Sequence, residues 1–194
     1  MQLRGLPGAI LRPGNMSGST KSGVWNANDF YALFLLAVID LGCAPAAEEM
    51  DRLGWEMDLT PVNWAAKCIA KSVMEPGKSL GKVMHVQNGQ GAIPMSKVVS
   101  MLSEIGWSVT KRCSVASWSK LCEEKGRAGN DGLLKCSIAF DSFAAYFATG
   151  SATGGAFDCT NMADVMGGKK ECVCEIDKEY LKKCLGWCGV ALPE

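Results

Sequence analysis

Histidine is almost missing from this sequence: His85 is the only one. It sits in the middle of an alternating segment, where a lone histidine is usually a packed core or edge residue, and no nucleophile and base pair can be assembled around it. Excess charge is missing too, because 20 basic and 20 acidic side chains cancel and no Lys/Arg run occurs. Sequence-independent binding to nucleic acid or anionic lipid scales with the charge neutralised, so neither is expected as a partner. There is no long apolar run. The longest, Phe30 to Leu41, is interrupted by Asp40 and falls well short of the ~20 residues a bilayer span needs. The N-terminal segment carries Arg4, Pro7, Arg12 and Pro13, so it lacks the unbroken apolar stretch of a secretory signal, and a cytoplasmic location is expected. Neither a glycine signature of the dinucleotide or P-loop type nor a Gly-x-Ser-x-Gly elbow is present.

What remains is the composition of a packed globular protein: 194 residues, 48% apolar and 21% charged. A core of ordinary size is possible, in one domain or one and a half. Ten cysteines are many for a reducing compartment. Cys172-x-Cys174 and Cys184-x3-Cys188 do not have a standard zinc spacing, so the cysteines are read as small buried hydrophobes and no metal is assigned.

The run Gly8 to Arg12 reads as a buried strand stopped by Pro13-Gly14. A loop rich in Gly, Ser, Thr and Asn follows to Asn28, and loops of this composition are usually functional or mobile. Asn28 or Asp29 can cap a helix through about Leu41, closed by Gly42. Trp55 to Leu59 alternates as a short strand, and Thr60 as N-cap with Pro61 at the first position starts a helix to about Met74. Its expected apolar face is Val62, Ala65, Ala66, Ile69 and Val73. Gly81 to Gln87 suggests another strand, Pro94 to Ile105 a helix ended by Gly106, and Trp107 to Cys113 a third strand. Val115 to Glu124 and Asp131 to Ala148 read as helices, the second capped by Asn130 or Asp131. Thr149 to Phe157 is a linker, with short helices near Met162 and from Tyr180 to Leu185. Tyr180 and Lys183 stand three apart on the last of these, and a surface role is expected for them. Strands alternate with helices in the first half and the second half is helical, which makes an α/β protein with an appended helical region.

The run Gly5-Leu6-Pro7-Gly8-Ala9-Ile10-Leu11-Arg12-Pro13-Gly14-Asn15-Met16-Ser17-Gly18, continued by Ser19-Thr20-Lys21-Ser22-Gly23-Val24-Trp25-Asn26-Ala27-Asn28-Asp29-Phe30, resembles the thioester reductase family. These are extended short-chain dehydrogenases, found as terminal reductase domains of nonribosomal peptide and polyketide synthetases, in carboxylic acid reductases and in aminoadipate reductases. Asp58-Leu59-Thr60-Pro61-Val62 is similar to the family's strand-to-helix element, and Met84-His85-Val86-Gln87-Asn88 to its late strand ending in His-x-x-Asn. Gly106-Trp107, Trp118-x-x-Leu121 and Phe157-Asp158 through Tyr180-Leu181 to Gly189 match the C-terminal helical part. The similarity covers nearly the whole chain but only the second half of the family's domain. Neither the glycine-rich NADPH motif nor the Tyr-x-x-x-Lys set occurs in these residues.

The resemblance implies a partial Rossmann-like sheet with an appended, mostly helical substrate-binding region. Residues 1–113 would be the C-terminal part of the NAD(P)-binding domain with its substrate loop, and residues 114–194 a substrate-binding lid. It implies NADPH as cofactor, with Arg12, Pro13, Gly14 and Asn15 beside the nicotinamide. Gly18, Thr20, Gly23, Asn26 and Asp29 would wall the channel for the phosphopantetheine thioester, although Asn26 and Asp29 are equally suited to capping the next helix. Asn63 stands where the family usually has Asp, and Ser19 replaces a common Asp. The implied activity is NADPH-dependent reduction of a carrier-bound acyl thioester to an aldehyde or alcohol. Hydride would go to the thioester carbonyl, and a thiohemiacetal would then collapse to release the carrier thiol. The partners would be a phosphopantetheinyl carrier domain and the remainder of the reductase, without which the chain is expected to be inactive. The helix around Phe140, Phe143, Ala144 and Phe147 would line an apolar pocket or form core. Two other readings stay open: a noncatalytic module that docks a carrier or a separate nucleotide-binding half, and a different extended short-chain reductase or epimerase.

Overall fold

A computed structural model describes residues 7–148 and 157–193, with side chains of residues 143–148 left aside. The pocket or core role expected of Phe143, Ala144 and Phe147 therefore falls on side chains outside the described ones. Contacts divide the chain into two interleaved units, residues 1–22, 58–91 and 155–176, and residues 23–57, 92–154 and 177–194.

The first unit is built on two parallel strands. β1 (Ile10–Pro13) pairs with β6 (Val83–Val86) in the register Ile10↔Val83, Leu11↔Met84, Arg12↔His85 and Pro13↔Val86. One face of the pair, with Leu11, Met84 and Val86, packs on α3 (Val62–Met74) and α8 (Thr160–Met166) through Trp64, Ala65, Cys68, Met162, Val165 and Met166. On the other face, Ile10, Arg12 and Val83 are exposed and His85 stacks on Phe157 with ring centroids 4.8 Å apart. The two edges also differ. Asn161 Nδ2 covers the β6 edge by donating to the Val83 carbonyl at 2.9 Å. On β1, the N–H groups of Ile10 and Gly14 donate to Lys82 and Val86, so ladder alternation turns Leu11 and Pro13 to an edge with no strand partner among the described residues. Pro13 suits that edge because it has no N–H to leave unpaired.

The helix α3 differs from its sequence reading in two respects. Thr60 and Pro61 form a two-residue strand, β5, parallel to β2 (Met16–Ser17), and Pro61 is the N-cap. Thr60 caps nothing; its hydroxyl donates to Asp58 Oδ1 at 3.1 Å and accepts from Asn88 N–H at 3.0 Å. The buried stripe is Trp64, Ala65, Cys68 and Ser72, while Val62, Ile69 and Val73 face outward. The sequence has apolar residues on two faces of this helix, and the bulk of Trp64 decides which one meets the strands.

The second unit is mainly helical. Phe30–Leu41 forms α1 as expected: Asp29 accepts from Tyr31 N–H and Ala32 N–H, and Gly42 closes the helix in the left-handed conformation. After it, β3 (Cys43–Pro45) pairs in parallel with β8 (Lys111–Cys113), and β4 (Glu56–Met57) pairs antiparallel with β7 (Ile93–Pro94). The short helices α2 (Ala47–Arg52) here and α4 (Pro76–Ser79) in the first unit carry no periodicity and were not foreseen. α5 (Met95–Ile105), α6 (Val115–Arg127), α7 (Asp131–Ala148) and α9 (Lys178–Trp187) complete the unit. Asn130 caps α7 by accepting from Leu133 N–H.

An aromatic cluster forms this core. Trp118 is fully buried, donates to the Cys43 carbonyl at 2.9 Å, and meets Phe34 and Phe140 at 5.1 and 5.6 Å. Phe140 also meets Trp55 at 5.5 Å. Phe140 is therefore core. Tyr180 is buried as well, contrary to the surface role expected of it. Among the described residues no helix is long and apolar enough to cross a membrane.

Candidate functional site

The C-terminal ends of β1 and β6 lie side by side, the position at which open α/β sheets bind ligands. Here the chain after β1 is held by a hydrogen-bonded network. Asn15 N–H donates to Asp58 Oδ2 at 3.0 Å, Thr60 N–H donates to the Asn15 carbonyl at 3.0 Å, and Thr60 bridges Asp58 and Asn88 through its hydroxyl. Asn88 is saturated. Its Nδ2 donates to the Leu59 and Cys174 carbonyls at 3.1 and 2.8 Å, and its Oδ1 accepts from Gln90 and Cys174 N–H at 3.1 and 2.9 Å. A Cβ on Gly14 would run into Asp58 Oδ2, so glycine is required there by close approach. Of the cofactor residues expected from sequence, Arg12 and Pro13 are exposed at the end of β1, and Gly14 donates to Val86. Asn15 holds a buried Nδ2 with no acceptor among the described residues.

The loop that follows is tied down locally. Ser19 Oγ accepts from Lys21 and Ser22 N–H at 3.2 and 3.3 Å. Thr20 N–H donates to Asn63 Oδ1, and Asn63 Nδ2 donates to Thr20 Oγ1, both at 2.9 Å. Asn63, which keeps a hydrogen-bonding amide without a carboxylate's charge, thus acts through both ends of its side chain. Gly18 is buried in the same unit. Gly23, Asn26 and Asp29 belong to the second unit. Gly23 takes φ +74 with its Cα against the Lys183 carbonyl, which no side chain would allow. Asn26 accepts from Asn28 N–H at 3.1 Å in the turn before α1, and Asp29 is the cap of that helix.

Sequence reasoning passed over three members of this arrangement. Asp58 and Thr60 are two apart on an extended segment, so both side chains reach the same side, and that i,i+2 spacing was a readable signal. Gln87, at the end of β6, lines a cavity of about 450 Å³ together with Phe157, Cys159, Lys169 and Lys170.

The cysteines of the first unit gather near this cavity but are not activated. Burial, with help from Cys172 and Cys174, pushes the Cys68 thiol up to about 12, and burial also raises Cys159, Cys172 and Cys174. Such thiols are protonated near neutral pH and poor nucleophiles. Among the described residues no group of three or more His, Cys, Asp or Glu side chains is arranged to hold a metal ion.

Comparison with known proteins adds three findings. A family model described as male sterility protein, an NAD-binding family, matches residues 1–69. The chain is 33% identical over 128 residues to the L-2-aminoadipate reductase large subunit of Eremothecium gossypii, which covers 66% of this chain and 9% of that protein. Its fold is similar to the terminal R domain of the myxalamid PKS-NRPS pathway, with a TM-score of 0.71 and 20% identity over 100% of this chain and 47% of that one. A thiolation-reductase di-domain from an archaeal non-ribosomal peptide synthetase is similar at a TM-score of 0.66 and 20% identity, over 97% of this chain and 37% of that one. The chain thus spans less than half of the solved proteins it matches and under a tenth of the aminoadipate reductase.

Proposed function

We propose that this chain, which is similar to the thioester reductases among the extended short-chain dehydrogenases and shares their Rossmann-like fold, is the substrate-side part of an NADPH-dependent reductase of carrier-bound acyl thioesters. The orphaned amide of Asn15 carries the reading. It is a buried donor without an acceptor, placed where the sheet ends, and such a group is costly unless a ligand supplies the missing oxygen. A nicotinamide carboxamide fits that need, with Arg12, Pro13 and Gly14 forming the adjoining wall. The bound nucleotide supplies the hydride. The chain's own part is to hold the acceptor thioester, with Gly18 and Thr20, fastened by Asn63, walling its approach. Its partners are then a phosphopantetheinyl carrier domain and a nucleotide-binding lobe that brings the glycine-rich and Tyr-x-x-x-Lys segments.

The test begins with reading the transcript upstream of the Met1 codon and expressing the longest in-frame chain. With an acyl-loaded carrier protein, that chain is expected to consume NADPH and release free carrier thiol and aldehyde, whereas residues 1–194 alone consume none. An extended chain carrying both motifs that leaves NADPH untouched with every acyl carrier tried overturns the reading.

A further inference from the structure

Two cysteines of the second unit meet across a strand pair. Cys43 opens β3 opposite Lys111 of β8, and Cys113 closes β8 opposite Pro45, so the two are diagonal neighbours. Residues two apart on a strand share a face, which puts both thiols on the same side of the pair. Their sulfurs lie 3.6 Å apart, one thiol donating to the other. A disulfide requires them to approach by about 1.5 Å, from 3.6 Å to the ~2.05 Å of the bond.

The two thiols differ in access. Both line a cavity of about 550 Å³, but Cys43 is 4% exposed while Cys113 is only half-buried. Lys111, Arg112 and Lys120 line the same cavity against one carboxylate, Glu124, which pairs with Lys120 at 3.7 Å. Glu49 and Cys122 are within electrostatic reach of Cys113 as well. The cavity lining is net positive and suits a small anionic reagent. Cys122 and Cys136 also hydrogen-bond each other, but both are wholly buried, which keeps a dissolved oxidant from them.

We propose that Cys43 and Cys113 form a reversible disulfide by exchange with a small anionic disulfide of the glutathione type. The Cys113 thiolate attacks one sulfur of the reagent, whose S–S bond breaks, so that a mixed disulfide forms and one glutathione leaves as thiolate. Cys43 then loses its proton and attacks the Cys113 sulfur, and the second glutathione leaves. Two protein thiols are oxidised, the reagent is reduced to two thiols, and the two protons given up by the cysteines end on those thiols. The link joins residues 70 apart in sequence and fastens the strand after α1 to the strand before α6, which constrains the unfolded chain and stabilises the second unit. Burial and the hydrogen bond with Cys43 raise the Cys113 thiol to about 11, so the exchange is slow near neutral pH and quickens as pH rises. None of this depends on the reductase reading.

The full 194-residue chain is incubated with oxidised glutathione between pH 7 and pH 9, its remaining thiols are alkylated, and its proteolytic peptides are weighed. The parent chain is expected to yield a Cys43–Cys113 cross-linked peptide that dithiothreitol reverses, at a rate rising about tenfold per pH unit. The oxidised chain should also melt at a higher temperature than the reduced one. Cys43→Ser is expected to stop at a glutathione adduct on Cys113, and Cys113→Ser to leave Cys43 unmodified. The parent's peptide map decides the matter even where a variant fails to fold. Both cysteines still open to alkylation after oxidation at pH 9, a link from either to a different cysteine, or a link that forms only in urea overturns the assignment.

Discussion

Gly14 has no room for a methyl group, and the atom in its way is held in place. Asp58 Oδ2 accepts from Asn15 N–H while Oδ1 accepts from Thr60, so a Cβ at Gly14 must push out a carboxylate that fixes the turn after β1. Gly14→Ala is expected to cost about 1–3 kcal/mol, the worth of one or two such bonds. Gly77→Ala, with nothing within 4 Å of the added carbon, should leave stability unchanged or slightly raised. Urea unfolding of the two variants checks this, and equal midpoints would show that Asp58 moves freely. Residues of this kind are hard to read from a sequence. Asp29 and Gly42 were legible as caps because capping is local, whereas Gly14, Asp58, Thr60 and Asn88 gain their meaning from partners some 28 to 86 positions away.

At the scale of elements, α3 carries the most informative difference between pattern and structure. Val73 and Met74 are 75% and 80% exposed, next to Val62 and Ile69 on the same outward side, and β1 adds the exposed Ile10 and an edge with no strand partner among the described residues. Parallel sheets are ordinarily covered on both faces, and open edges invite pairing with another chain. The isolated chain is therefore expected to self-associate. Val73→Lys with Met74→Lys should shift sedimentation toward monomer while changing unfolding free energy by less than about 0.5 kcal/mol; oligomers that persist unchanged would place the contact elsewhere. Hydrophobic periodicity found this helix but, Ala65 apart, chose the outward stripe, because a period counts apolar residues without weighing a tryptophan against a valine. Helices α1, α6 and α7 were placed well because each has a cap residue at its start, and α2 and α4 were missed because one or two turns leave no period to find.

Across the whole molecule the thiols act together. Burial raises Cys68 to about 12 and Cys184 to about 11, from an ordinary 9.0, and burial with a hydrogen bond to Cys43 raises Cys113 to about 11. Above about pH 9 the unfolded chain releases these protons while the native one keeps them, so the native state binds more protons and stability falls as pH rises. In reducing buffer, unfolding free energy should hold from about pH 7 to about pH 9 and then decline toward pH 11. Cys68→Ala should flatten that decline, and an identical slope in the variant would count against it.

The interleaving of the two units bears on how the protein is made. Each unit draws on three separate stretches of chain, the first ending at Ile176 and the second beyond it. On the ribosome, β1 and β6 can emerge long before α8, which supplies Met162, Val165 and Met166 to their shared core. The first unit cannot close until the segment ending at Ile176 has left the exit tunnel, and the second waits for the segment that starts at Asp177. Synthesis thus holds an apolar, half-built sheet in solution while the stretch between β6 and α8 is made, the interval in which chaperones and neighbouring nascent chains compete for it.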